Sequence, residues 1–326
     1  MALTVSVALG THNGADYLEQ QLRSVLSQTV LPSEIIISDD ASADATVELA
    51  RSVLRGSPVR LTVLENAVAL GVTKNFEQAI LACSGELVAL CDQDDVWMPD
   101  RLERATALFA SRPSLALVHG DAALVDAAGS DLGATLFEAL EVGPTQLAAI
   151  HAGCAFELFL RRNLVTGATT MVRRTLAEKA APFPSAWVHD EWLAVVAATT
   201  AEVDVVEAPL IAYRQHGSNQ IGVEKLGLFG KVRRMLEPGA ARSARLLERA
   251  VQLAERFDGL DGVTDEQRRA VAEKLAHERV RSGLSRVRIL RVVPVLAELR
   301  TGRYRRFGRG AADAVRDVLQ GLNDAR

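Results

Sequence analysis

The chain has 326 residues, 48% of them apolar, with a formal net charge of −4. That length suits one large domain or two smaller ones, and the absence of any run of eighteen apolar residues argues against a transmembrane helix. Met1 to Val7 lacks the charged stretch and cleavable apolar segment of a secretory leader, and Cys83, Cys91 and Cys154 show no CxxC pairing, so reduced, mostly buried thiols in a cytoplasmic protein are expected.

The first 120 residues alternate in type. Thr4 to Gly10 is β-rich and ends in the turn signal THNG. The next segment has Leu18, Leu22, Val25 and Leu26 at helical spacing, with Asp16 as a candidate cap. Strands are predicted at Glu34 to Asp40, Val59 to Asn66, Glu86 to Asp92 and Leu115 to Asp121. Helices are predicted at Asp44 to Leu54, Thr73 to Cys83 and Pro99 to Ser111, the last opened by its proline. This rhythm makes a mostly parallel sheet covered on both faces. Its polar residues gather just past the strand ends, where open α/β sheets bind ligands.

After Asp121 the pattern loosens. Gly153 to Val165 reads as irregular, Gly167 to Ala180 as a strand into a helix, and Val188 to Thr199 as a helix. Val203 to Gln220 reads as strand, turn, strand and loop. From Glu224 onward the pattern is helical and arginine-rich, broken near Pro238, Gly259 to Gly262, Pro294 and Gly308 to Gly310. The charge divides in the same place. Residues 1–224 hold 14 Lys and Arg against 28 Asp and Glu, whereas residues 225–326 hold 23 against 13. An acidic body, residues 1–222, therefore carries a basic helical extension, residues 223–326.

Three carboxylates, Asp92, Asp94 and Asp95, crowd the end of the fourth strand. They repel one another, so either water solvates them or something positive sits among them. Asp92-x-Asp94 serves a solvated loop and helix cap, or one or two of its carboxylates hold Mg2+ or Mn2+ while a substrate diphosphate fills the other positions. The stretch around Asp39 and Asp40 allows the same choice: a strand-to-helix turn capped by Asp44, or a site in which Asp40 accepts the N–H of a pyrimidine imide or Asp39 serves as a structural hydrogen-bond partner. Neither GxGxxG nor GxxxxGK[ST] occurs, which argues against dinucleotide and P-loop binding.

Taken together, THNG, IIISDDASAD, NAVALGVTKNF, LCDQDDVWMPDRL, HDEW and YRQHGSNQIG resemble a glycosyltransferase of family 2 with the GT-A nucleotide-sugar-binding fold, across about residues 4 to 220. DQDDVW, HDEW and YRQHGSN are most similar to the bacterial rhamnosyltransferase-like branch. The resemblance implies that Thr11, His12 and Asn13 lie against the nucleoside and that Asp40 binds the pyrimidine. It implies Asp92 on the ribose or metal side, Asp94 as metal ligand and Asp190 as catalytic base. The donor would be dTDP-rhamnose or a UDP-sugar and the acceptor a glycan or a lipid-linked sugar. Three residues depart from the family pattern: His12 where a tyrosine is usual, His189 where an acidic residue commonly precedes the base, and Glu191 where the branch often has tryptophan.

Other residues carry two readings each. His216 is a surface or structural histidine, or a second metal ligand or phosphate contact; Arg214 is a weaker candidate for phosphate. Lys74, beside Asn75, supports the nucleotide site or lies on a solvated helix face. Trp97 and Trp192 pack in the core or line a sugar pocket. The basic extension interleaves arginines with Val292, Val293, Leu296 and Leu299. It is a bundle docked on the body, or a surface that meets anionic lipid. Nucleic acid fits the charge but no recognised module. A nucleotide-sugar-binding module or a nucleotidyltransferase is the competing class. It gives no reason for Asp190, and the first turn lacks the Gly-rich loop with Arg and Lys that nucleotidyltransferases carry.

Overall fold

The computed structural model describes residues 3–216 and 240–320. The chain separates into two compact units, residues 1–156 with 164–223, and residues 157–163 with 224–326.

The first unit is built on strands β1 (Val5–Thr11), β2 (Glu34–Asp39), β3 (Arg60–Glu65) and β4 (Leu87–Cys91), joined by helices α1 (Ala15–Leu26), α2 (Thr46–Val53) and α3 (Val72–Ala82). β2 and β4 are buried at every residue and β1 at all but Gly10. Such unbroken apolar strands belong to a parallel sheet covered on both faces. α1 buries Leu18, Leu22 and Val25, the stripe expected from their spacing. Its cap differs from expectation: Gly14 stands at the cap, and Asp16 lies in the first turn.

The sheet continues through β5 (Val96–Trp97), helix α4 (Arg101–Ser111), β6 (Leu115–Val125), β7 (Asp131–Thr135), β8 (Met171–Arg173) and β9 (Glu202–Arg214). Strand order is β3-β2-β1-β4-β8-β6-β9-β5, with β7 beside β6. β3, β2, β1 and β4 run parallel, as expected. The other half is mixed, because the three-residue β8 wedges antiparallel between β4 and β6. β9 is one strand where two were expected. Its Pro209 faces Asp121 at a register shift, a place where a missing N–H costs no ladder bond.

The stretch that read as loose contains α5 (Leu136–Ala139), α6 (Pro144–His151) and α7 (Ala155–Arg161), so Gly153 to Val165 is not irregular throughout. α8 (Arg174–Ala180) and α9 (His189–Thr200) follow, as read. Cys83 and Cys91 are buried, but Cys154 is exposed.

The second unit holds α10 (Ala240–Asp258), α11 (Asp265–Ser282), a 3-10 turn (Arg288–Arg291), α12 (Val292–Arg300), α13 (Arg303–Phe307) and α14 (Ala311–Leu319). Pro294 lies in the first turn of α12, where its missing N–H breaks nothing, so the expected break falls before it. The interior is polar as well as apolar. Arg281 Nε donates to Asp317 at 2.7 Å, the Tyr304 hydroxyl donates to Asp317 at 2.9 Å, and His277 meets Glu298 at 2.7 Å. Leu284, Val295 and Ala314 pack around Tyr304. Among the described residues no helix is long and apolar enough to cross a membrane.

Candidate functional site

Register places the site. Thr11 at the end of β1 lies opposite Asp39, and Leu9 lies opposite Cys91. The residues that follow these strands therefore leave the sheet along one edge. The Thr11 hydroxyl donates to Asp39 at 2.7 Å, and Asp39 also accepts the N–H and hydroxyl of Ser42 at 2.9 and 2.6 Å. Asn13 turns the chain at φ +48°, a left-handed conformation that asparagine tolerates better than most residues. Its side-chain oxygen accepts from the Ala43 N–H at 2.8 Å.

His12 is exposed, and both ring nitrogens are engaged. Nδ1 lies 2.7 Å from the Asp40 carbonyl and Nε2 lies 3.1 Å from the Asn13 amide. One tautomer, protonated on Nδ1, satisfies both contacts. Asp40 accepts from the N–H groups of Leu70 and Gly71, at 2.5 and 3.0 Å. It thus anchors the 66–71 loop, and each oxygen retains a second lone pair for another donor. Gln93, passed over in the sequence as the middle of DQD, clasps the first turn. Its oxygen accepts the His12 N–H at 2.8 Å and its amide donates to the His12 carbonyl at 3.1 Å. A side chain at Gly14 would sit 2.2 Å from that Gln93 oxygen, so only glycine allows the clasp.

The carboxylates contain something positive, and it is Arg101. This arginine, 1% exposed at the start of α4, donates from Nη2 to the Leu90 carbonyl at 2.9 Å. Its guanidinium lies 3.6 Å over the Trp97 ring, which makes Trp97 a core residue. One cation does not balance the cluster. Burial, with help from Asp94 and Asp190, pushes Asp92 up to about 7 against the opposing pull of Arg101. Burial, and then the charges of Asp92 and Asp94, push Asp95 well above the carboxylate range. Asp95 Oδ1 accepts the Arg214 N–H at 3.0 Å, while its Oδ2 is buried without a partner. The Tyr213 phenol, near the end of β9, is raised by burial and then by the charges of Asp92, Asp95, Asp94 and Asp190.

Asp94 and His216 come together, with Nε2 2.8 Å from Oδ2. His216 stacks on Tyr17 at 4.8 Å, and Arg214 lies over the same ring at 4.9 Å. Arg214 donates to the Asp94 carbonyl, the Ala127 carbonyl and Gln20 at 2.7–2.9 Å, a scaffold that holds the loop rather than a group turned to phosphate. A touching carboxylate and imidazole, beside two carboxylates with too little positive charge, fit a hard divalent cation. Among the described residues no three His, Cys, Asp or Glu side chains close around one point. Substrate phosphates commonly complete such a coordination shell.

Asp190, nearly a hundred residues from Asp92 along the chain, stands in the first turn of α9, and its charge acts on Asp92. One oxygen accepts the Gly167 N–H at 2.9 Å and the other the Glu191 N–H at 2.7 Å. His189 beneath it stacks on Phe76 at 4.0 Å. Burial lowers His189 to about 3, so it is neutral at physiological pH. Lys74 does not turn to the acidic cluster: its ammonium donates to Glu77 at 2.6 Å and to the Phe183 carbonyl at 2.8 Å. Trp192 is fully buried and donates to the Ala180 carbonyl at 2.8 Å. The part of YRQHGSNQIG that follows His216 lies outside the described residues.

Comparisons with known proteins bear on the family and the fold. The family described as Glycosyl transferase family 2 matches residues 6–179. An uncharacterized glycosyltransferase of Nostoc, alr2836, is 28% identical over 220 residues, which span 67% of this chain and 66% of that protein. The dTDP-rhamnosyl transferase RfbG of Shigella flexneri is 26% identical over 228 residues, 66% of this chain and 73% of its own. Among solved structures, S. aureus TarS 1–349 in complex with UDP-GlcNAc superposes with a TM-score of 0.60 at 15% identity, covering 97% of this chain and 90% of that one. The mannosyltransferase PcManGT of Pyrobaculum calidifontis, in complex with GDP-Man and Mn2+, gives 0.53 at 19% identity, covering 97% and 79%. At such identities the likeness concerns the fold, which is GT-A.

Proposed function

Because the chain belongs to glycosyltransferase family 2, we propose that it transfers a sugar from a nucleotide-diphosphate sugar to an acceptor hydroxyl, inverting the anomeric carbon in one displacement. The observation that carries this reading is the contact of His216 with Asp94 just past the strand ends, beside an Asp92 on which the charges of Asp94 and Asp190 both act. Asp190 takes the acceptor proton as the new C–O bond forms and the bond to the diphosphate breaks. Its two backbone N–H contacts fix the carboxylate's direction. Asp94 and His216 would hold Mg2+ or Mn2+, which supplies positive charge to the leaving diphosphate. Asp92 would face the ribose and the metal. Thr11, His12, Asn13 and Asp40 would receive the nucleoside, with Lys74 supporting that pocket only indirectly.

The donor in this reading is dTDP-rhamnose, with UDP-sugars next; the Shigella relative named for dTDP-rhamnosyl transfer supports it. The acceptor is a hydroxyl of a glycan or lipid-linked sugar, reached at the inner face of the cell membrane. The test is nucleotide-diphosphate release from a panel of donors with Mn2+, Mg2+ or chelator. Metal-dependent release that disappears in Asp94→Ala supports the reading. Release that ignores both chelator and Asp94→Ala would sink the metal assignment. Donor binding without release, given acceptor, would make the chain a nucleotide-sugar-binding module instead.

A further inference from the structure

In the second unit, one segment presents apolar side chains outward. Val287 is 55% exposed, Ile289 73%, Leu290 61% and Val293 75%. Leu296 continues the face one turn along α12, while Val295 and Glu298 point inward. The usual amphipathic order of a surface helix is reversed on this face. The projection is not a loose loop. Arg291, 1% exposed, sits under it and donates to the carbonyls of Ser285 at 2.6 Å, Arg286 at 3.0 Å and Gln320 at 2.7 Å.

Charge selects the partner. Arg286, Arg288 and Arg300 are exposed around these side chains. Glu298 is the only acidic residue from Ser285 to Arg300, and it is buried against His277. What this segment offers outward is therefore aliphatic or cationic and never anionic. A second copy of the chain would set like charges against each other with no carboxylate on the segment to pair them. An anionic bilayer matches both components: headgroups take the arginines, and the acyl boundary takes the aliphatic tips.

We propose that the 3-10 turn Arg288–Arg291 with the start of α12 is a membrane wedge, in which Ile289, Leu290 and Val293 insert and Arg286 and Arg288 bind anionic headgroups. This rests on the peripheral-membrane reading above and specifies its contact. The contact differs from the sequence expectation. Val292 is only half-exposed, whereas Ile289 and Leu290, outside the expected set, are among the most exposed large apolar side chains described in the unit. The basic stretch Lys231 to Leu236 lies outside the described residues.

The experiment is sedimentation of the full chain with vesicles of phosphatidylcholine alone or mixed with phosphatidylglycerol, at about 0.1 M and about 1 M salt, where the Debye length falls from about 10 to about 3 Å. Wild type should pellet with the anionic vesicles at low salt. The triple variant Ile289→Ser, Leu290→Ser, Val293→Ser should lose at least tenfold in vesicle affinity, with unchanged circular dichroism and melting, because these side chains support no core. Arg286→Gln with Arg288→Gln should lose affinity and flatten the salt dependence. Wild type that fails to pellet overturns the membrane reading itself. Wild type that pellets together with an undiminished triple variant overturns the wedge alone. A concentration-dependent dimer abolished by the triple substitution would assign the face to a second copy and also overturn it.

Discussion

Arg101→Met tests whether a single buried cation allows the acidic cluster to exist. Methionine keeps the unbranched stem against Trp97 and removes only the charge and its donors. Three contributions disappear. The charge-assisted bond to the Leu90 carbonyl is worth about 1.5–3 kcal/mol. The guanidinium over Trp97 at 3.6 Å adds about 2 kcal/mol when desolvated. The third is the compensation of Asp95, 1% exposed and with one oxygen already lacking a partner. Relief of the guanidinium's own desolvation offsets part of this. Burial has already lowered Arg101 to about 10 despite the nearby Cys91, Asp95 and Asp92. Arg101 and Asp95 feel each other's charge without a direct ion pair, so the loss of about 3–5 kcal/mol typical of breaking a buried pair is the upper limit, and a loss of about 3 kcal/mol is the expected result in urea unfolding at neutral pH with chelator. Asp95→Asn in the same background should recover about 1–3 kcal/mol, since groups in one charge network couple by that order. Arg101→Met within about 0.5 kcal/mol of wild type, or a double variant whose cost is the sum of the two singles, would refute the idea that Arg101 balances this charge.

Other expectations follow from the same contacts. Asp190→Asn should bind donor normally and transfer sugar at least about a hundredfold more slowly; near-normal transfer would move the base to Glu191. His216→Ala should raise the Mn2+ concentration needed for half-maximal release about tenfold or more, and an unchanged metal titration would remove it from the site. Gly10→Ala would place a methyl 2.8 Å from the Phe76 ring and should destabilise by about 1–3 kcal/mol in thermal unfolding. Burial alone would raise Glu34, yet bonds from Ser6, Ser84 and Arg60 bring it from 4.5 down to about 2. Its contribution, about 3 kcal/mol at most, is therefore complete above pH 4.5 and lost as pH falls toward 2. Glu34→Gln should be destabilised at pH 7 and converge on wild type in that acid window.

The alternation up to Asp121 was readable because every signal in it is local. β2 is a run of buried isoleucines, and α1 repeats leucines at one face. These need no knowledge of what lies across the sheet. The reading failed where an element owes its existence to a neighbour. β8 has three residues and is a strand only because β4 and β6 flank it. The turn expected within Val203 to Gln220 is instead a register shift between β6 and β9, where Pro209 faces Asp121. α5 has four residues, held by a capping box between Thr135 and Glu138, too short for any periodicity.

The site divides along the same line. Carboxylates at strand ends announce themselves by crowding, and their mutual repulsion says that a cation is required. It does not say which one. Arg101 stands at the start of a helix, the usual place for a solvated side chain, with Glu103 and Arg104 beside it in sequence. It turns inward because the two residues of β5 pair with β9 and set Trp97 beside it, giving its guanidinium an aromatic face and the Leu90 carbonyl as partners. Asp190 follows the same logic from the other side. Nothing local distinguishes it from Glu191, but α9 begins where the Gly167 N–H can hold one oxygen, and the field of Asp190 then falls on Asp92. A charged residue's role here depends on which charges the fold brings near it, so the paired measurements on Arg101 and Asp95 test that dependence more directly than any single substitution at the reacting end.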